Sequence, residues 1–230
     1  MNEFLSTSSC FGVVLSMLAY ILGVTVSKRT KSPLANPLLI AAVLTLGILI
    51  GFHIDYAAYN SSARFLTVLL TPATVCLAIP LYRQIEKLKR NFAAIITGIL
   101  AGSLSGMISV FLLAKLFGFT KAEFVTFLPK SITTAIGMGV SEELGGYVPI
   151  TAASIILTGI LGHILCEGIL KITGIRSRIA KGAAIGTAAH AVGTSKAMQI
   201  GEVEGAISSL SIVIAGIITV LFAGVFAGLY

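Results

Sequence analysis

The sequence predicts an all-α integral membrane protein, a polytopic helical bundle of roughly six to eight segments with broken or re-entrant helices. Three observations predict it. Of the 230 residues, 56% are hydrophobic and 11% charged, where a soluble domain carries about a quarter charged residues. Apolar runs of near-membrane length fall at 10–27, 37–53, 65–82, 92–117, 124–140, 150–170, 179–198 and 206–229. The basic residues gather in the short gaps between them, where topology signals sit. This pattern excludes an ordinary soluble enzyme, a disordered tail and a disulfide-stapled secreted domain. Residues 1–230 read as a single membrane domain.

The first run is expected to be an uncleaved membrane helix. Glu3 precedes it, and no positive n-region or A-x-A cleavage site frames it. Lys28, Arg29 and Lys31 close this run, Arg83, Lys87, Lys89 and Arg90 follow the third, and Lys171, Arg176, Arg178 and Lys181 follow the sixth. Short loops rich in Lys and Arg stay in the cytoplasm. The stretch His53–Arg64, with Asp55, Tyr56, Tyr59 and Asn60, reads as an extracytoplasmic loop. Run four then crosses outward and run six inward, so no net crossing is left for residues 124–147. That stretch is expected to be a re-entrant hairpin or a broken helix. Its Pro129, Lys130, Ser131, Thr133, Thr134, Gly137, Gly139, Ser141, Glu142 and Glu143 make a poor lipid-facing helix. Non-helical backbone is tolerated at membrane depth only inside the protein or beside water.

An internal repeat is also visible. Ile95, Thr97, Gly98, Ile99 and Leu100 match Ile156, Thr158, Gly159, Ile160 and Leu161 at an offset of 61, and Thr71–Thr74 falls on Ile132–Ala135 at the same offset. The charges send runs four and six in opposite directions. Repeat units of about 64–118 and 125–178 in opposite orientations predict an inverted repeat, in which broken helices meet at the bilayer midplane. Small residues at four-residue spacing, Gly47/Gly51, Gly98/Gly102/Gly106, Gly182/Gly186 and Gly224/Gly228, read as close helix packing.

Ionisable groups inside a bilayer are costly unless paired or wetted, so each is a functional candidate. Lys130, beside Ser131, Thr133 and Thr134, would suit an anionic substrate near a half-helix N-terminus. The competing reading is a lysine that snorkels to the interface. Residues 182–198 are the richest stretch: Thr187, His190, Thr194, Ser195 and Lys196 supply donors among small residues, and His190 could titrate near neutral pH. The competing reading is a hydrogen-bonded packing helix. His163 and Glu167 share a helix face, and either pair, relay a proton, hold a metal or sit in the bundle interior. Glu202 and Glu204 read as capping acids at the start of the last helix. Ser208 and Ser209 behind them are secondary site candidates, with Thr71 and Thr74.

No P-loop, complete dinucleotide loop, G-x-S-x-G or H-E-x-x-H occurs. No enzyme activity, cofactor or metal is expected, and transport would be channel-like or gradient-driven. Cys10, Cys76 and Cys166 lie in apolar segments and read as buried, inert thiols. The net charge of +7 lies in loops without interleaved aromatics, so no nucleic-acid partner is expected.

Over nearly its whole length the sequence resembles the LrgB/CidB family. Leu128–Ile136, Val140–Gly146, Gly186–Ala197, Glu204–Leu210 and Ala73–Tyr82 carry the resemblance. It implies a multi-pass protein of the bacterial plasma membrane, antiholin-like and tied to control of murein hydrolase activity and lysis. It also implies a small holin-like (LrgA/CidA-type) membrane partner. Plant relatives carry glycolate and glycerate, and some bacterial members are linked to pyruvate uptake. Two functions follow as expectations. One is a transporter of small monocarboxylates, such as pyruvate, glycolate or glycerate, coupled to protons through His190. The other is a regulator that binds a holin-like protein and transports nothing. A homodimer is expected by analogy with other carriers.

Overall fold

The computed structural model describes residues 10–30, 36–69, 72, 75–76 and 78–230. The expected site residues Thr71 and Thr74 lie outside the described residues. The described residues are helical, with no strand among them. Of the three cysteines expected to be buried, Cys166 is, whereas Cys10 and Cys76 are exposed on the outer faces of their apolar segments. They fall into two compact units divided after Cys76.

The first unit holds α1 (Phe11–Thr30), α2 (Pro37–Gly51) and α3 (Tyr56–Val68). α2 begins where Asn36 Oδ1 accepts from the Leu38 amide at 2.8 Å, with Pro37 at a position that needs no donor. α1 packs against both neighbours through glycines. A Cβ on Gly23 would stand 2.5 Å from the Pro37 carbonyl. The Gly12 amide donates to Ser62 Oγ at 2.8 Å, and the Ser16 and Tyr59 hydroxyls lie 2.7 Å apart. The stretch expected to be an extracytoplasmic loop is therefore partly helical. Asp55 caps α3, and Tyr59 and Ser62 face α1. The third apolar run, 65–82, falls partly outside the described residues: α3 ends at Val68, and the next element with described bounds is a short helix from Ala78 to Arg83.

The second unit holds α4 (Ala78–Arg83), α5 (Ile85–Arg90), α6 (Phe92–Phe117), α7 (Lys121–Phe127), α8 (Thr134–Glu143), α9 (Val148–Ile172), α10 (Arg178–Ile200) and α11 (Glu202–Leu229). By length and composition α1, α6, α9 and α11 can each cross a bilayer. α6 alone is about 39 Å long, against a hydrocarbon core of about 30 Å. α2, with 15 residues, is apolar but shorter.

Hydrogen bonds and close packing orient these helices. At one end, Gly118 in the left-handed conformation (φ 66°) stops α6, and a capping box of Thr120 and Glu123 starts α7. The amide and hydroxyl of Thr120 both donate to the Glu123 carboxylate, which holds it below its ordinary pKa. Tyr230, just past α11, stacks on Phe124 of α7 at 4.4 Å and donates to the Phe119 carbonyl at 2.5 Å. At the other end, Arg83 pairs with Glu202, and Arg178 with Glu204, each at 3.9 Å. The two basic loops assigned to the cytoplasm thus meet at the end opposite Tyr230.

The charges predict a re-entrant hairpin or a broken helix over 124–147, and residues 121–147 form a helical hairpin. Thr151 in the first turn of α9 donates to the Thr126 carbonyl at 2.9 Å and to Ser141 Oγ at 2.7 Å. The Tyr147 amide donates to Thr126 Oγ1 at 2.8 Å. The end of α7, the end of α8 and the start of α9 therefore lie together. Chain that passes Thr126 turns at 128–133 and comes back, with Gly137 against Pro129. α7 and α8 have 7 and 10 residues, about 10 and 15 Å of helix, so neither is long enough to cross a hydrocarbon core of about 30 Å.

α10 is a second hairpin. His190, at φ 41° and ψ −137°, breaks its helical backbone. A Cβ on Gly193 would lie 3.2 Å from the Ile185 carbonyl, although residues eight apart in a straight helix are separated by about 12 Å. The first limb runs alongside α11, with Gly182 against Glu204 and Gly186 against Ser208. The second limb runs back, with Thr194 on Ser208 and Met198 on Gly205. A long helix followed by a hairpin thus occurs twice, as α6 with α7–α8 and as α9 with α10. The two hairpins enter from opposite ends of the unit.

Candidate functional site

A cavity of about 680 Å³ lies in the second unit, walled by α6, the first limb of α10, the tip of the α7–α8 hairpin and α11. The sequence makes this space by omission. Gly98, Gly102 and Gly106 fall on one face of α6 and line it. A Cβ on Gly98 or Gly106 would meet nothing within 4 Å, and one on Gly102 would stand 3.1 Å from Thr187 Cγ2. The four-residue spacing on α6 therefore creates a cavity, which corrects its reading as helix packing. At Gly182 and Gly186 the packing reading holds: a Cβ on Gly182 would lie 2.5 Å from the Glu204 carbonyl, and Gly186 meets the Ser208 backbone. Gly47, Gly51, Gly224 and Gly228 have open space beside them.

Among the described residues that line the cavity, Lys130 is the one charged side chain. The turn at 128–133 carries it to the hairpin tip, where Nζ donates to Ser131 Oγ at 3.2 Å. No described carboxylate pairs with it. Thr133, the N-cap of α8, makes no side-chain capping bond, so the first amides of α8 stay unanswered by side chains beside Lys130. A cation and a helix N-terminus together favour an anion. Two further groups are short of partners. The hydroxyls of Ser103 on α6 and Thr187 on α10 are buried and have no hydrogen-bond partner among the described residues. Both side chains line the cavity. An unmade hydrogen bond on a buried hydroxyl costs about 1–3 kcal/mol.

Of the residues picked from the sequence, Lys130, Ser131 and Thr187 line this cavity. Thr133 and Thr134, at the start of α8, are not among its lining residues. The others are engaged elsewhere. The buried His190 ring sits against Gly159, with Nε2 2.9 Å from the Ile155 carbonyl. Thr194 donates to the His190 carbonyl at 2.9 Å and lies 2.7 Å from Ser208 Oγ. Ser209 bonds the Gly205 carbonyl of its own helix. His163 and Glu167 share a face of α9 without pairing with each other. His163 Nδ1 lies 3.2 Å from the Val192 carbonyl and 3.5 Å from Ser195 Oγ, and Glu167 pairs with Lys196 at 2.7 Å. Glu204, buried at the start of α11, faces Arg178.

Sequence reasoning missed Ser103. Its signal was present in Gly102-Ser103-Leu104-Ser105-Gly106, where a hydroxyl follows a glycine of the α6 row. Asn91 and Ser177, which line the cavity at the ends of α6 and α10 nearest the basic loops, were also missed.

Comparison with known proteins bears on this arrangement. The model of the LrgB-like family matches residues 16–229. The chain is 36% identical over 219 residues to Holin-like protein CidB of Staphylococcus epidermidis, covering 95% of each chain. It is 37% identical over 212 residues to Antiholin-like protein LrgB of Bacillus cereus, covering 92% of each. No solved structure matches it.

Proposed function

Because the chain belongs to the LrgB-like family, whose resemblance implies small-acid carriers, we propose that this multi-pass protein of the bacterial cell membrane transports small monocarboxylates. Pyruvate, glycolate and glycerate are the substrates in view. One observation carries the reading: a cavity inside a membrane unit holds a cation with no carboxylate partner among the described residues. A half-buried lysine inside a membrane unit is expensive unless water or an anion answers it. One cation with no acid among the described lining residues matches a single carboxylate better than a dicarboxylate. The twofold helix-plus-hairpin pattern supports a carrier, since inverted repeats place the site where broken helices meet. The repeat units are then best drawn as about 92–143 and 148–200, which keeps the matched stretches 95–100 and 156–161 on the two leading helices.

Lys130 would attract the carboxylate, Ser131 and the α8 amides would hold its oxygens, and the glycine row would make room for a short carbon chain. Charge-assisted hydrogen bonds of this type contribute about 1.5–3 kcal/mol each. The test is uptake of labelled pyruvate and glycolate into proteoliposomes that contain only this protein, with and without an imposed pH gradient. Saturable uptake that falls at least about tenfold in Lys130→Gln, with an unchanged unfolding temperature, supports the reading. Uptake that ignores the pH gradient removes the proton coupling expected of His190.

The names of the relatives favour a second reading, an antiholin-like regulator that restrains lysis through a holin-like partner. It predicts no uptake, and indifference of lysis control to Lys130→Gln.

A further inference from the structure

Resting on the carrier reading, we infer that Ser103 and Thr187 are the specificity-determining residues of the cavity. Their hydroxyls hold an oxygen of the substrate outside its carboxylate, so a short acid with oxygen on its second carbon is taken in preference to the plain alkanoate of equal length.

The two side chains are 8% and 7% exposed. Buried hydroxyls are nearly always bonded, and this unit follows the rule elsewhere. Thr126, Ser141, Thr151, Thr194, Ser208 and Ser211 all have partners. The two exceptions line one cavity, Ser103 from α6 and Thr187 from α10. α6 and α10 meet at Gly102, next in sequence to Ser103, where a Cβ would stand 3.1 Å from Thr187 Cγ2. Lys130 and Ser131, on the turn before α8, also line the cavity, and Lys130 supplies the positive charge that a carboxylate needs. A neutral hydroxyl answers a neutral oxygen. It donates to a keto group, and it both donates to and accepts from an alcohol. A methyl group in the same place would leave both hydroxyls unmatched, and sites built this way reject the analogue that lacks the polar group.

The test uses the whole chain in proteoliposomes and competition against labelled pyruvate. Glycolate is compared with acetate and pyruvate with propionate, which match in carbon number. In the parent, the oxygenated acid should compete at a concentration at least about tenfold lower than the alkanoate. Ser103→Ala and Thr187→Val, each checked for a single size-exclusion peak, should each narrow that ratio severalfold by weakening the oxygenated acid and sparing the alkanoate. Thr187→Ser, which keeps the hydroxyl, should retain the preference. A ratio that persists in both hydroxyl-free variants overturns the assignment, as does a parent that transports without discriminating. In those cases the carrier reading still stands. A folded parent that takes up no acid overturns both.

Discussion

The two hairpins of the second unit are alike in plan and opposite in chemistry. Each follows a long helix and reverses inside the unit. The tip of the first carries Lys130 and Ser131 into a cavity, beside an α8 N-terminus that no side chain caps. The break of the second is closed on itself: His190 Nε2 meets the Ile155 carbonyl, its own carbonyl accepts from Thr194, and Thr194 meets Ser208. The lesson concerns polar residues in membranes. A hydroxyl or histidine with all its partners in the protein holds backbone together, whereas one without partners is reserved for something that arrives. By that rule, on the carrier reading, the tip of the first hairpin and Thr187 on the first limb of the second would bind, while the break at His190 supports.

The sharpest way to break this contrast is to disturb the support. Gly186 packs on the Ser208 backbone, which cannot give way as a side-chain end would. Gly186→Val should cost about 3 kcal/mol or more and leave little monodisperse protein in size-exclusion chromatography. Gly98→Ala, whose Cβ enters open cavity, should fold normally and reduce uptake only. Equal yields from the two variants would remove the distinction between a packed and an open glycine row.

Next in size is His190. Its backbone sits at φ 41°, a region that costs a side chain about 1–3 kcal/mol. His190→Ala loses the bond to Ile155 and keeps that strain, so unfolding should be easier by about 1–2 kcal/mol. His190→Gly loses the same bond and relieves the strain, so it should melt above His190→Ala. A reversed order would mean that the ring does more than close the break.

Much of this was legible in the sequence because charge and proline act locally. The basic gaps placed runs four and six in opposite directions, and Pro129-Lys130-Ser131 marked a stretch that could not cross. The break at His190 was less legible, because Ala189-His190-Ala191 carries no proline or glycine. The reversal is imposed by Gly159 and Gly162 of α9, which admit the His190 ring and Ala189. Spacing alone could not separate the glycines of α6 from those of α10. Both rows recur every four residues, and the difference lies in whether a neighbouring backbone approaches. Lys130 and Lys196 likewise look equivalent in one dimension, each beside a serine. Only the fold shows that Lys196 already has Glu167.

That pair gives the smallest expected effect. Lys196 Nζ and Glu167 Oε1 are 2.7 Å apart, but their side chains are 24% and 61% exposed. A pair this open should contribute about 0.3–1 kcal/mol. A thermal-unfolding double-mutant cycle with Lys196→Met and Glu167→Gln should return a coupling in that range, with uptake unchanged in all three variants. Because Lys196 is answered by a carboxylate of its own protein, it should not act as a second anion site. A coupling above about 2 kcal/mol, or uptake that collapses with Lys196→Met alone, would place substrate chemistry beyond the His190 break, on the second limb of α10, and end the division of labour between the tip of the first hairpin and the break of the second.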